Sequence, residues 1–263
     1  MEQAQDFLDE SEALAAILSD LPDADYDRPT QFKGWTVNDV LVHLHFWNAA
    51  ADLSLTDPER FTAVLEGLMG ALGSGSLRGH ENDAVKERGS GLLAAWTALY
   101  RDMGPRWTKL DPKTRVAWAG PSMSVRSSMT ARQMETWAHG QEIFDLLGLK
   151  REEQDRIRNV VVLGVNTFGW TFKVNGLEVP ETMPQVSLTL PSGAAAAFGE
   201  AGDNRISGSA VEFAQVVTQT RNIADTALSV TGPVATQWME KAQCFAGPPE
   251  TPPAPGSRHR QVG

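Results

Sequence analysis

The first half of the chain carries apolar residues at the spacing of amphipathic helices. Between residues 7 and 21 they recur close to the 3.6-residue period and predict a first helix. Thr36, followed by an acidic residue three positions later, predicts the start of a second helix that extends to about residue 53. Further helices are predicted at residues 58–72, 82–103 and 130–147. Helices in this order, joined by modest loops, predict an up-and-down bundle.

Turn residues predict where these helices break. Residues 73–79, GSGSLRG, predict a mobile loop, and the helix that follows is expected to stop before Pro105. Residues 115–121 are apolar and bounded by turn signals, which predicts an extended connection. The capping-box pattern that begins at Thr130 predicts the start of the next helix, and Gly148 is placed to end it.

Beyond residue 148 the pattern changes from helical to mixed. Helices are predicted near 152–170, 210–220 and 233–246, and strands at 185–190, 194–198 and 205–207. The predicted fold class is therefore α+β, with a helical-bundle domain followed by a smaller α+β domain. The predicted boundaries are 1–150 for the bundle, 151–247 for the α+β domain and 248–263 for a Pro-rich tail over the surface.

Composition narrows the functional classes. A net charge of -10 over 263 residues argues against nucleic acid as a partner, because phosphates call for clustered Lys and Arg. The chain has no apolar run of about 18 residues and no signal-peptide pattern, which predicts a cytoplasmic protein with no membrane partner. The single cysteine excludes an internal disulfide and a multi-thiolate metal cage, so a metal here must use nitrogen and oxygen ligands. The oligomeric state is left open.

Glu135 and His139 form the most informative pair in the chain. Four residues apart on a helix, they lie on one face about one turn apart and can share a metal ion. His43, at the edge of the apolar stripe of the second helix, is the best candidate for a third ligand. The same residues also fit a solvated helix pair and a core histidine, and spacing alone does not decide between the two interpretations.

Two motifs and the C-terminal segment carry a family resemblance. Residues 34–44, GWTVNDVLVHL, and residues 131–140, ARQMETWAHG, resemble the metal-binding helices of the DinB-like superfamily. Residues 230–247 extend the resemblance to two-domain members of its mycothiol-dependent maleylpyruvate isomerase branch. The resemblance covers nearly the whole chain and implies a DinB-like four-helix bundle followed by a sterol-carrier-like α+β domain. It also implies three metal ligands, at His43, Glu135 and His139.

Three mixed His and Glu ligands with an open position are the pattern of a catalytic metal site. A divalent metal is expected, with zinc as the first choice, although nickel, iron(II), manganese or cobalt would accept this set. Such a metal can activate a bound water or hold an external thiol as thiolate. Cys244 lies in the second domain and no nucleophile-elbow serine is present, so the nucleophile is expected to come from outside the chain. The resemblance implies a low-molecular-weight thiol of the mycothiol or glutathione type for this role, with water as the alternative.

Three further residues are candidates for the site. Glu142, one turn beyond His139, is a candidate acceptor for a ligand imidazole or a general base, with a solvated residue as the alternative. Arg221 is a candidate partner for a substrate carboxylate, with an ordinary surface arginine as the alternative. Trp47 lies on the face of His43 and is either a lining residue of the substrate pocket or a core residue.

Three functional hypotheses follow from these residues. The first is a metalloenzyme that uses a low-molecular-weight thiol to isomerise or conjugate a small unsaturated or electrophilic substrate. The second is a metal-hydroxide hydrolase that needs no thiol. The third is a non-enzymatic protein that binds a small ligand and carries a structural metal, which requires a closed coordination sphere.

Overall fold

The computed structural model describes residues 1–73 and 77–261, and the chain divides into two compact units. Unit 1 is Met1–Ile143 and unit 2 is Phe144–Gly263. Among the described residues, no helix is both long enough and apolar enough to cross a membrane.

Unit 1 is helical apart from one small hairpin. Its helices are α1 Glu2–Leu18, α2 Val37–Thr56, α3 Pro58–Gly73, α4 Leu77–Ala84, α5 Gly89–Thr108 and α6 Val125–Leu146, with a 3-10 helix at Asp23–Asp27. Helix α5 packs along α1 and α2, and α2 also contacts α3 and α4. Strands β1 Arg115–Trp118 and β2 Gly120–Ser124 pair antiparallel, which confirms the extended connection predicted there. The helical bundle predicted for this half of the chain is therefore confirmed.

Two of the predicted helix ends are confirmed in atomic detail. The Thr36 hydroxyl accepts a hydrogen bond from the Asp39 backbone N–H at 3.1 Å, and the Thr36 N–H donates to the Asp39 carboxylate at 2.8 Å. This capping box fixes the start of α2. At the end of α6, Gly148 takes a φ of 68°, which suits glycine because it lacks Cβ.

Three predicted boundaries in unit 1 are wrong. Helix α6 starts at Val125 rather than Thr130, because the Ser124 hydroxyl already accepts the hydrogen bond of the Ser127 N–H. The predicted loop 73–79 is helical from Leu77 onward, while its residues 74–76 lie outside the described residues. The predicted helix 82–103 is divided between α4 and α5, and α5 continues through Pro105 for one more turn.

Helix α6 is buried on more than one face, as its two-sided apolar pattern requires. Trp137 and Phe144 are buried on one face, while polar side chains are buried on the others. The buried polar residues of this helix are Ser128, Thr130, Arg132, Gln133, Thr136, Gln141, Glu142 and Asp145. Buried polar groups need partners, so a helix of this composition is a place to look for a functional site.

Unit 2 combines short helices with a four-stranded sheet. Its helices are α7 Arg158–Asn166, α8 Phe168–Val174, α9 Ala210–Val217 and α10 Pro233–Lys241, and its strands are β3 Gln185–Thr189, β4 Ala195–Phe198, β5 Arg205–Ser209 and β6 Ser229–Thr231. The sheet order is β4-β3-β5-β6, with β3 and β5 parallel and the other pairs antiparallel. The α+β class is confirmed, and three of the four strands lie where alternation predicted them. The predicted helix 152–170 is divided at Thr167 into α7 and α8.

The Pro-rich segment after residue 247 forms no helix or strand within its described part, 248–261. Its backbone carbonyls accept hydrogen bonds from side chains elsewhere in unit 2. Gln219 donates to the Glu250 carbonyl at 3.1 Å, and Asn222 donates to the Pro253 carbonyl at 2.8 Å. Because proline has no backbone N–H to donate to a strand ladder, the segment forms no strand and its carbonyls are satisfied by side chains instead.

Close packing of α7 against α9 gives a testable stability prediction. A Cβ added at Gly164 would lie 2.8 Å from Val217 Cγ2 and 3.1 Å from Phe213 Cε1, both on buried side chains. We expect Gly164→Ala to lower the free energy of unfolding by about 1–2 kcal/mol, because this overlap outweighs the gain of about 1 kcal/mol in helix propensity. Urea denaturation measures the change.

Gly169→Ala in α8 is the matched control, since its Cβ would meet only Val179 Cγ1 at an ordinary 3.6 Å. We expect this variant to be as stable as the wild type or more stable. Equal unfolding midpoints for the two variants would show that α7 and α9 are not closely packed at Gly164.

Candidate metal centre

Helices α2 and α6 bring the three predicted ligands together. His43 lies two turns after the capping box of α2, while Glu135 and His139 lie one turn apart on α6. His43 Nε2 is 3.5 Å from Glu135 Oε2, and His139 Nε2 is 3.3 Å from the same oxygen. The three candidate ligand atoms lie within 4.8 Å of one another.

These separations fit a metal ion. At metal–ligand distances of about 2.1 Å, two ligand atoms on a tetrahedral zinc are about 3.4 Å apart. The two separations from Glu135 lie on either side of that value, and the candidate ligand atoms of the two histidines lie within 4.8 Å of each other. Within the described residues, no fourth His, Cys, Asp or Glu joins the cluster. The donor set is therefore one carboxylate and two imidazoles, with side chains 12–21% exposed.

The electrostatics of the cluster favour a cation. Burial lowers the pKa of His43, but hydrogen bonds to Glu135 and Glu81 outweigh burial and raise it to about 9. Burial raises the pKa of Glu135, but hydrogen bonds from His139 and His43 hold it well below its usual value. The pKa of His139 is lowered, chiefly by burial. His43 therefore holds its proton firmly between the carboxylates of Glu81 and Glu135. A metal ion bound at this place would supply the positive charge instead of that proton.

Glu81 is a residue of the site that sequence analysis missed. It lies in α4, is 2% exposed, and its Oε1 accepts from His43 Nδ1 at 2.9 Å and from Trp47 Nε1 at 2.7 Å. A proton on Nδ1 leaves Nε2 of His43 free to face Glu135, which is the tautomer a metal ligand needs. In the sequence, Glu81 is only an acidic residue near a glycine-rich segment. No fixed spacing relates it to His43, so the sequence does not predict their contact.

Aromatic rings enclose the imidazoles. Trp35 stacks on His139 with ring centroids 5.4 Å apart and an interplanar angle of 5°, and it meets His43 edge-on at 5.4 Å. Phe32 meets the His139 ring at 5.1 Å. These rings restrict the rotation of both imidazoles and shield one side of the cluster from water. Trp35 lies in the motif at residues 34–44, and His139 lies in the motif at residues 131–140. Neither motif by itself predicts that these two rings are in contact.

The structure places the remaining candidates as follows. Trp47 is half-buried with its ring 6.2 Å from that of His43, so it lies beside the cluster, and its contact with substrate stays a prediction. Glu142 is 1% exposed, so it is not the solvated residue of the alternative interpretation, and its role stays a prediction. Arg221 in unit 2 donates to the Asp145 carboxylate at 2.8 Å and to the Thr220 carbonyl. Its pairing with a substrate carboxylate stays a prediction.

Comparison with known proteins gives the same classification as the two motifs. Residues 7–144 match the family model described as Mycothiol maleylpyruvate isomerase N-terminal domain. The chain is 33% identical over 245 residues to a protein described as uncharacterized in two strains of Mycobacterium tuberculosis, covering 91% of this chain and 93% of the relative. The chain therefore belongs to the mycothiol maleylpyruvate isomerase N-terminal domain family, which confirms the resemblance.

A solved structure shares the fold. The crystal structure of the mycothiol-dependent maleylpyruvate isomerase matches with a TM-score of 0.53 at 14% sequence identity, covering 82% of this chain and 87% of that chain. At this identity the match supports the helix-rich fold with a small mixed sheet, and the chemistry has to be argued from the residues of this chain.

Proposed function

We propose that this protein is a metal-dependent enzyme that uses a low-molecular-weight thiol to isomerise or conjugate a small unsaturated or electrophilic acid. The observation that carries the proposal is the convergence of His43, Glu135 and His139, with separations of 3.3 and 3.5 Å that suit a divalent metal. Membership of the isomerase family supports the reaction class, and zinc is the first choice of metal.

A bound divalent metal would supply a thiolate at neutral pH by lowering the pKa of a coordinated thiol. The side chains of this protein do the rest. Glu81 holds the Nδ1 proton of His43 and so keeps Nε2 directed at Glu135. Trp35 and Phe32 keep water from one side of the imidazoles. Glu142, one turn beyond His139 and 1% exposed, is the candidate for moving a proton beside the site.

The nucleophile comes from outside the chain. Cys244, the single cysteine, is 5% exposed and lies in unit 2. In an isomerisation of this kind, the thiolate adds to a cis carbon–carbon double bond conjugated with a carbonyl, and the resulting single bond rotates. Loss of the same thiolate then restores the double bond as trans, so the thiol is regenerated and no oxidant or reductant is needed.

The number of ligands in the cluster also bears on the two alternative functions, a binding protein with a structural metal and a metal-hydroxide hydrolase. A structural metal calls for a closed set of four protein ligands, whereas the cluster has three members among the described residues, which favours a catalytic role. Hydrolysis by metal-bound hydroxide would use the same three ligands. Hydrolysis and thiol chemistry are therefore distinguished by whether turnover depends on an added thiol.

The test combines metal analysis with a thiol-dependent screen of the full chain. We expect about one divalent metal per chain and turnover of unsaturated keto acids or small electrophiles only when a mycothiol- or glutathione-type thiol is added. Chelator-treated protein is the control and should be inactive until metal is restored. Turnover of esters or amides without thiol would instead support the hydrolase, and a metal content near zero would contradict both enzymatic proposals.

A further inference from the structure

The face of α6 that carries Glu135 and His139 continues toward the N-terminus with two more polar residues. Counting about 100° per residue, Ser128, Arg132, Glu135 and His139 fall within about 60° of one another. Arg132 is 5% exposed and Ser128 is 1% exposed. One face of this helix therefore buries a cation and a hydroxyl directly beside the two candidate ligands.

The guanidinium of Arg132 has aromatic neighbours and, among the described residues, no carboxylate within ion-pair distance. Burial lowers its pKa, and the charge of Glu135 raises it by a smaller amount. It lies 5.2 Å from the ring centroid of Trp118 and 5.9 Å from that of Trp47. Its Nε and Nη1 are buried and have no hydrogen-bond partner among the described residues, and the same holds for the hydroxyl of Ser128. Cation–π contacts offset only part of the cost of burying an arginine, since they provide no acceptor for its N–H groups.

Two other arginines of the protein have the carboxylate partner that Arg132 lacks among the described residues. Arg221 is mostly buried, with its side chain 12% exposed, and its guanidinium donates to the Asp145 carboxylate at 2.8 Å. Arg106 donates to the Asp52 carboxylate through two nitrogens. A buried guanidinium with unused donors in an aromatic setting is the arrangement that binds an external carboxylate.

The position of Arg132 connects it to the metal centre. Trp47, which flanks the guanidinium, donates to the same Glu81 oxygen that holds His43. Side chains on a helix lean toward its N-terminus, so the stem of Arg132 leans toward the turn that carries Ser128. A short acid can therefore reach from this pair to the cluster, about one helical turn away.

We propose that Arg132 and Ser128 form a carboxylate subsite that binds the acid group of the substrate beside the metal centre. This inference rests on the proposed function for the identity of the substrate, but the subsite can be tested without turnover. A carboxylate would accept charge-assisted hydrogen bonds from Arg132 and one hydrogen bond from Ser128. The two tryptophans would exclude water and so strengthen these bonds.

The test uses the metal-loaded full chain and maleate, a small unsaturated dicarboxylate without a thiol, in isothermal titration calorimetry. We expect Arg132→Met to weaken maleate binding by about 10- to 100-fold, because hydrogen bonds to a charged group are lost. Arg132→Lys should retain part of the affinity, since it keeps the charge but loses the planar donors. Ser128→Ala should weaken binding by a few-fold.

Arg126→Met is the matched control, because it removes an exposed arginine from the same helix. It should bind maleate as the wild type does, and all variants should keep their metal content and circular dichroism spectrum. If Arg132→Met does not fold, Arg132→Lys carries the test. Unchanged maleate affinity in a folded Arg132 variant, or no maleate binding by the wild type, would overturn the proposal.

Glutathione carries both carboxylates and a thiol. Its binding tests whether the subsite holds the carboxylate of the acid substrate or a carboxylate of the thiol compound. Loss of glutathione binding alone in the Arg132 variants would overturn the assignment to the acid substrate. If maleate binding depends on Arg132 but no thiol-dependent turnover is found, the reaction proposal fails and the subsite stands. If turnover is found and maleate affinity is unchanged in the variants, only the subsite fails.

Discussion

His43→Ala is expected to lower the affinity for the divalent metal by about 100-fold or more, so that the purified variant contains almost none. The reason is that the variant keeps only Glu135 and His139, which lie on one helix and form an incomplete set. Losing an outer hydrogen-bond partner of a ligand already costs about 10- to 100-fold, and losing a direct ligand should cost more. Mass-spectrometric metal analysis of the purified protein measures the effect.

His45→Ala is the matched control for this experiment. It removes an imidazole two residues further along α2 that does not belong to the cluster. We expect this variant to keep its metal, and Glu135→Gln to lose it as His43→Ala does. Full metal content in His43→Ala would contradict the ligand assignment, and circular dichroism shows whether each variant is folded.

Glu81→Ala is expected to weaken metal binding by about 10- to 100-fold, although Glu81 is not one of the predicted ligands. Its Oε1 accepts hydrogen bonds from both His43 and Trp47, so its loss frees the imidazole and leaves two part-buried N–H groups without this acceptor. Glu81→Gln should have a smaller effect, less than about tenfold, because one amide oxygen can accept both bonds. Competition with a chromogenic chelator measures the affinities.

Asp83→Ala is the control for Glu81, since it removes an exposed carboxylate from the same helix α4. Its metal affinity should equal that of the wild type. If Glu81→Gln and Glu81→Ala are equally impaired, the negative charge matters more than the hydrogen bonds. If neither is impaired, Glu81 has no part in orienting His43.

The start of α6 shows how a correct local rule can lead to a wrong boundary. The pattern from Thr130 to Gln133 matches a capping box, but both residues lie buried inside the helix. Ser124 provides the cap instead, with Ser127 at the position where a capping box has Glu or Gln. Two adjacent cap signals were present in the sequence, and the structure uses the one at Ser124, the last residue of β2, which pairs with Arg115 of β1.

The break between α4 and α5 was hidden from the sequence for a different reason. Its backbone N–H groups are satisfied by residues far along the chain, since Gly89 donates to Asn38 at 2.8 Å and Ser90 donates to Asp23 at 2.9 Å. A helix can begin wherever its first N–H groups find acceptors. Acceptors supplied by α2 and the 3-10 helix leave no local pattern around residue 89.

The sequence by itself determined the features that depend on neighbours within a few turns. These are the capping box at Thr36, the glycine that ends α6, the alternation of the strands in unit 2, and the shared face of Glu135 and His139. All of them follow from the helical or strand period and from backbone hydrogen bonding, which act over short separations along the chain.

Only the tertiary structure decided which distant side chains meet the candidate ligands. Glu81 reaches His43 from 38 residues away, Trp35 stacks on His139, and Arg132 lies between two tryptophans of other elements. Such contacts are set by how helices pack against one another, and helix packing depends on the shapes of whole faces rather than on spacing within one segment. The sequence thus determined locally that the candidate ligands Glu135 and His139 share a helix face, while packing determined the Glu81 carboxylate, the rings and the buried cation around them.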